Sequence, residues 1–260
     1  MVWDHSAKME LAEDIGRRVG AQFSMSVLFG CVTGSVARED DTPRSDLDTM
    51  FLTQEKIRLP NMSPDGYREF VYRGLKTQIE FRTKEEALEI LRNTGPYWPF
   101  QVKDFLEPQV IFGRPEAVAE TRDDFRRLLE NLPDAAFNKG AGHALMWAHA
   151  SLAKVRNAHE DGDGLRAIQA AVGMAGDIAA FIALLNRRYY SYADIRQLEE
   201  ARAFSVVPSN YLILLKRLYL EKDAGGVLAA VEDIWEACDT LAKRLGIQPD
   251  EHEDLRSVGL

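Results

Sequence analysis

The residues best able to do chemistry lie in one stretch, Gly34-Ser35-x-x-Arg38 followed by Ser45-Asp46-x-Asp48. The Gly-Ser pair ends a run of strand formers, Ser26 to Thr33, and so offers backbone amides and a hydroxyl where a phosphate can be cradled. Arg38, about one turn further on, brings a planar guanidinium that can grip phosphate oxygens in a bidentate manner. Asp46 and Asp48 stand at i and i+2 of a second strand-forming run, Asp46 to Thr53, so both carboxylates leave one face while Leu47 turns to the other. Two hard oxygen donors facing a phosphate cradle make a magnesium site. Glu80, on the polar side of a later alternating run, is positioned to add a third carboxylate. Taken singly these features are ordinary: Gly-Ser marks a turn, Arg38 a surface charge, Asp-x-Asp a solvated strand edge and Glu80 an exposed strand acid. Their order between two strands carries the chemistry.

The elements that must hold these groups follow from periodicity. Residues 5–20 place Met9, Leu11, Ile15 and Val19 at helical spacing, which predicts an amphipathic helix before the first strand. Beyond the second strand, the runs Arg68 to Arg73 and Lys76 to Arg82 read as further strands. In the latter Ile79 and Phe81 alternate with Gln78, Glu80 and Arg82. Thr83 and Glu86 form a capping box that starts a helix, and Gly95-Pro96 stops it. From about Ala117 the pattern is helical throughout, with candidate helices over 118–131, 135–159, 164–187, 193–203, 208–221 and 224–245. The expectation is an α+β chain: an N-terminal domain over 1–116 built on a mixed sheet, then an all-α domain over 117–260.

Composition narrows the partners. The 260 residues are 46% hydrophobic and 28% charged, which excludes a disordered chain, a collagen and a membrane channel. A net charge of -9 and a pI near 5.2 exclude a long nucleic acid as the main partner and suit small or cationic ones. Cys31 and Cys238 lie far apart and outside any Cys-x-x-Cys or Cys/His cluster, so buried reduced thiols are expected. The first residues show no basic segment leading into an apolar run, and no stretch approaches eighteen apolar residues. A cytoplasmic protein with no membrane association is expected.

With these residues in hand, the Gly34-Ser35, Arg38 and Asp46-x-Asp48 pattern resembles the signature of the polymerase-β-type nucleotidyltransferase superfamily. Further stretches, Gly30 to Arg38, Tyr97 to Phe100, Lys154 to Asn157 and Val172 to Gly176, resemble the kanamycin nucleotidyltransferase (aminoglycoside 4′-O-nucleotidyltransferase) branch. The resemblance spans about residues 26 to 245. It implies a homodimer with shared active sites, an N-terminal nucleotidyltransferase domain that binds Mg-ATP and a helical domain that shapes the acceptor pocket and dimerises. It implies that Gly34, Ser35 and Arg38 bind the nucleotide's phosphates, that Asp46, Asp48 and Glu80 hold Mg2+, and that Lys154 lies near nucleotide and acceptor. The implied reaction moves AMP from ATP to an aminoglycoside hydroxyl and releases pyrophosphate, conferring antibiotic resistance.

The chain departs from that pattern at the acceptor side. Where the family has a glutamate as catalytic base this sequence has Ala150, and positions of further family acids read Met146, Trp147, Pro96 and Tyr97. No carboxylate occurs from Asn138 to His159. Asp177, the only acid within the apolar segment Ala167 to Leu185, is a candidate replacement base, because a buried carboxylate has a raised pKa. The other reading of Asp177 is an internal hydrogen-bond partner. His143, eleven residues before Lys154 and on the same helical face, is a second candidate, against an ordinary structural role. Counting along two antiparallel helices joined by the Glu160 to Gly164 turn puts Asp177 near the level of Ala150. Trp98 is singled out as an aromatic wall for a cleft. Two further functions compete: the same transfer to another small hydroxyl compound or a protein side chain, and a non-catalytic nucleotide-binding module. Three converging carboxylates argue against the last, since without a metal their repulsion is destabilising.

Overall fold

The strand-forming runs assemble into one mixed five-stranded sheet in the order β3-β4-β2-β1-β5, seen in a computed structural model that describes residues 3–192, 196–221 and 223–248. In chain order the elements are α1 (His5–Gln22), β1 (Val27–Thr33), the single turn α2 (Gly34–Ala37), β2 (Leu47–Thr53), β3 (Tyr67–Tyr72), β4 (Leu75–Thr83) and α3 (Lys84–Arg92). Short helices α4 (Trp98–Gln101) and α5 (Lys103–Leu106) precede β5 (Gln109–Gly113) and α6 (Pro115–Glu130). Five helices follow: α7 (Asp134–Glu160), α8 (Gly164–Leu185), α9 (Gln197–Ala201), α10 (Tyr211–Leu220) and α11 (Ala224–Leu245). The fold is α+β, with a mixed sheet and a helical C-terminal part. Residues 193–195 of the helix expected over 193–203 lie outside the described residues. The elements that sequence pattern does not announce are α4, α5 and β5. The last is five residues long and reads Gln-Val-Ile-Phe-Gly without alternation, too short to separate from a loop.

The chain divides into two units, Met1–Arg92 with Val102–Leu132 and Asn93–Gln101 with Pro133–Leu260. This division is not a single cut near residue 116. Helix α6 packs on α3 and β1, with Phe125 edge-on to Phe105 of α5 at 6.1 Å. In exchange, the segment before α5 joins the helical unit: Trp98 is edge-on to Phe137 at 5.2 Å, and Thr94 Oγ1 donates to the Ala136 carbonyl at 2.9 Å. Gly140 of α7 makes that possible, because a Cβ there would stand 1.7 Å from the Thr94 carbonyl oxygen.

Within the first unit, β2 and β4 run parallel and the remaining pairs antiparallel. One sheet face packs Val32, Leu47, Phe51, Leu75 and Phe81 against Ala12, Ile15 and Val19 of α1. Alternation then sends Cys31, Asp48, Met50 and Glu80 to the opposite face. The capping box forms as expected: Glu86 N donates to Thr83 Oγ1 at 3.1 Å, and Thr83 N to Glu86 Oε2 at 2.9 Å.

The second unit is built on the α7–α8 hairpin, whose facing sides are rich in alanine, with α11 packed against both. Close approach of the two helices is the consequence of those small side chains. Among the described residues, α8 alone is long and apolar enough to cross a membrane by length and composition, contrary to the expectation from apolar runs; more than half of that stretch is buried inside the protein, as in a core helix. Both cysteines are free and buried.

Candidate active site

Strand β1 ends at Thr33, and the chain turns at Gly34 into the one-turn helix α2. Gly34 has φ of +67°, and a Cβ on it would come within 2.9 Å of Asp48 Oδ2, so both the backbone shape and the space demand glycine. The register explains the closeness, since Thr33 is the cross-strand partner of Asp48. The Thr33 side chain does not cap α2. Arg38, at the C-terminal end of α2, is ion-paired with Asp40 at 3.4 Å and is four-fifths buried, rather than a loose surface charge.

Asp46, Asp48 and Glu80 gather at one end of the sheet face opposite α1. Asp48 leads into the face from β2, and Glu80 lies on the adjacent parallel strand beside Met50. Asp48 is pushed up to about 6 by burial, reinforced by the charges of Asp46, Asp104 and Glu80, with Lys76 opposing. Asp46 is turned toward Lys76 at 3.6 Å, and Glu80 is bonded to Arg82 Nε. As they stand, no three His, Cys, Asp or Glu side chains among the described residues form a closed metal-ligand group. The donor set nevertheless fits a hard divalent cation: all are carboxylates, and Asp48 is a buried acid with further acids beside it, a charge that such an ion relieves.

The structure adds an acid that sequence reasoning missed. Asp104 of α5 is pushed up to about 6 by burial and by Glu80, against Lys103 and Arg38. Its charge reaches the face that carries Cys31, Asp48 and Glu80: it helps raise Asp48, and the Cys31 thiol is raised by burial and then by Asp104. The available signal was an isolated acid between Val102 and Phe105, both buried.

In the helical unit, Lys154, Asp177 and His143 take the following places. Ser151 Oγ of α7 donates to Asp177 Oδ2 of α8 at 3.0 Å, which puts Asp177 beside the residue that follows Ala150. Burial raises the Asp177 carboxyl, while the Ser151 hydrogen bond and the Lys154 charge oppose the rise. The side chain is half-buried rather than enclosed, and α8, apolar as it is, also leaves Leu165, Ile168 and Val172 exposed. Lys154 is exposed on α7, and His143 is half-buried on the same helix. Trp98, expected at a cleft wall, is instead a core residue, 3% exposed against Phe137.

A solved nucleotidyltransferase-like protein from Exiguobacterium sibiricum 255-15 superimposes with a TM-score of 0.51 and 13% identity, covering 90% of this chain and 78% of that one. The fold is similar to that of this nucleotidyltransferase-like protein. Residues 120–248 match the family model of the KNTase C-terminal domain, which takes in most of α6 and all of α7 to α11. No curated protein matches the sequence.

Proposed function

We propose that the chain is a nucleotidyltransferase that moves AMP from ATP to a hydroxyl of a small cationic acceptor, with an aminoglycoside as the favoured class. The observation that carries this reading is the Asp48 carboxylate held over the Gly34 backbone, with Arg38 on the next turn and Glu80 on the adjacent strand. The KNTase-type C-terminal match and the nucleotidyltransferase-like fold support it. A net charge of -9 favours a polycationic acceptor.

In this reading Ser35, the α2 amides and Arg38 bind the triphosphate, and Asp46, Asp48 and Glu80 hold Mg2+, with Asp104 beside them. When bound, the metal supplies electrophilic activation of the α-phosphate and charge stabilisation of pyrophosphate. The chain's own contribution is positioning, which dominates phosphoryl-group chemistry of this kind. The acceptor oxygen forms a bond to the α-phosphorus as the bond to pyrophosphate breaks, and the hydroxyl proton passes to a carboxylate. Asp177, oriented by Ser151 and neighboured by Lys154, is the group proposed for that proton. A homodimer with shared sites belongs to the same reading.

A second acceptor class is favoured by one observation. Helix α7 carries no acid between Asp134 and Glu160, so it lacks the carboxylates that would hold aminoglycoside ammonium groups. The acceptor would then be a less cationic polyol or a protein side chain. Incubation with ATP, Mg2+ and a mixed panel of aminoglycosides and polyols, followed by mass spectrometry, separates the two. The proposal expects one compound to gain an AMP residue; no adduct on any hydroxyl compound, with ATP left intact, counts against it.

A further inference from the structure

The loop that joins Arg38 to Asp46 is tied to α1 by a charge buried where an apolar side chain would be expected. Lys8 occupies the inner stripe of α1 with Ala12, Ile15 and Val19, and is 0% exposed. Its ammonium donates to Asp41 Oδ2 at 2.9 Å and to the Thr42 carbonyl at 2.5 Å. The other Asp41 oxygen accepts from His5 Nδ1 at 2.7 Å. Thr42 is in turn the hub of the loop: its amide donates to Ser45 Oγ, its carbonyl accepts from Ser45 N, and its hydroxyl accepts from Arg44 N. At the other end, Asp40 N donates to the Ser35 carbonyl, and Glu39 adopts a left-handed φ of 59°.

A buried ion pair is a poor way to gain stability, because an apolar replacement of similar volume is often as stable. What it does well is fix one arrangement of the groups it joins. The clamp's two loop residues lie three and four positions after Arg38 and five and four before Asp46, midway between the group assigned to phosphates and the group assigned to metal.

We propose that Lys8 is a positioning residue: through Asp41 and Thr42 it sets the conformation of the 39–45 loop, and thereby the spacing of Arg38 and Asp46 on which nucleotide binding depends. This inference rests on the nucleotidyltransferase reading. Neither Lys8 nor Asp41 touches the nucleotide in it; they act through the backbone of the loop.

The test is Lys8→Met in the full chain, read by amide hydrogen exchange at Asp40, Thr42 and Ser45 and by equilibrium binding of ATP with Mg2+. The expected result is exchange at those amides at least tenfold faster, with β1, β2 and β4 as protected as before, and ATP binding at least tenfold weaker. If Lys8→Met does not fold, Asp41→Asn, which keeps the shape of the side chain but removes its charge, is measured in the same way. Unchanged loop exchange overturns the proposal, as does faster exchange with ATP affinity unaltered, which would leave Lys8 a purely structural residue. Absence of ATP binding by the wild-type chain overturns the nucleotidyltransferase reading instead.

Discussion

The Asp48 carboxylate stands over the Gly34 backbone, with Oδ2 2.9 Å from the point a Cβ would occupy. Two independent requirements meet at Gly34, the left-handed turn that starts α2 and the room for a carboxylate. Gly34→Ala is therefore expected to lower stability by about 1–2 kcal/mol from backbone strain alone. It should also displace Asp48 and weaken Mg-dependent ATP binding, which chemical denaturation and an ATP titration check separately.

Loss of one carboxylate of the proposed metal set should act on chemistry more than on folding. Asp48→Asn or Asp46→Asn is expected to reduce turnover by roughly 100- to 1000-fold, the range for removing one electrostatic stabiliser. Asp48→Asn should leave the fold at least as stable as the wild type in metal-free buffer, since it removes a crowded charge. Turnover assays beside thermal denaturation in EDTA measure both effects.

Burial of acids at this site, reinforced by their neighbours, gives stability a pH dependence with a definite sign. Asp48 and Asp104 each titrate near 6 in the folded chain, above the 3.8 of an unhindered aspartate. The folded state thus binds protons more tightly than the unfolded one, so metal-free stability should fall as pH rises from about 4 to about 6 and level off above. Mg2+ should reverse the loss, stabilising the chain more at pH 7 than at pH 5. Denaturation midpoints with Mg2+ and with EDTA across that range test it.

Much of this arrangement was legible in the sequence because it depends on local order. Gly34, Asp46 and Asp48 are bound to strand ends that hydrophobic alternation locates, and Thr83 and Glu86 mark the start of α3 by their own hydrogen bonds. Asp104 was not legible, because α5 and β5 are too short to carry a period and nothing local says that residues 102–106 fold onto the sheet. Trp98 was misplaced for a related reason: its loop position suggested a cleft, whereas long-range packing on Phe137 buries it. Lys8 escaped because a lysine on an apolar stripe reads as a gap in the pattern until Asp41 is seen beneath it. The neighbourhood of Asp177 and Ala150 followed from helix rise alone, and the Ser151 hydrogen bond gives it a partner that counting could not name.

For the acceptor step, Asp177→Asn is expected to lower the chemical rate by about 100-fold or more, the contribution of a positioned base, with ATP affinity near normal. Full turnover in that variant would move attention to His143. Ser151→Ala removes a hydrogen bond that favours the charged carboxylate, so the Asp177 pKa should rise and the acidic limb of the pH–rate profile should shift to higher pH.

In the proposed function the Gly34, Arg38, Asp46, Asp48 and Glu80 constellation splits ATP by nucleotidyl transfer. Pyrophosphate release from ATP and Mg2+, measured over a panel of aminoglycosides and other polyols with wild-type and Asp48→Asn proteins side by side, tests it most directly. Acceptor-dependent pyrophosphate release by the wild type is expected, falling at least 100-fold in Asp48→Asn. Release of inorganic phosphate instead, or pyrophosphate release that Asp48→Asn leaves intact, would contradict it.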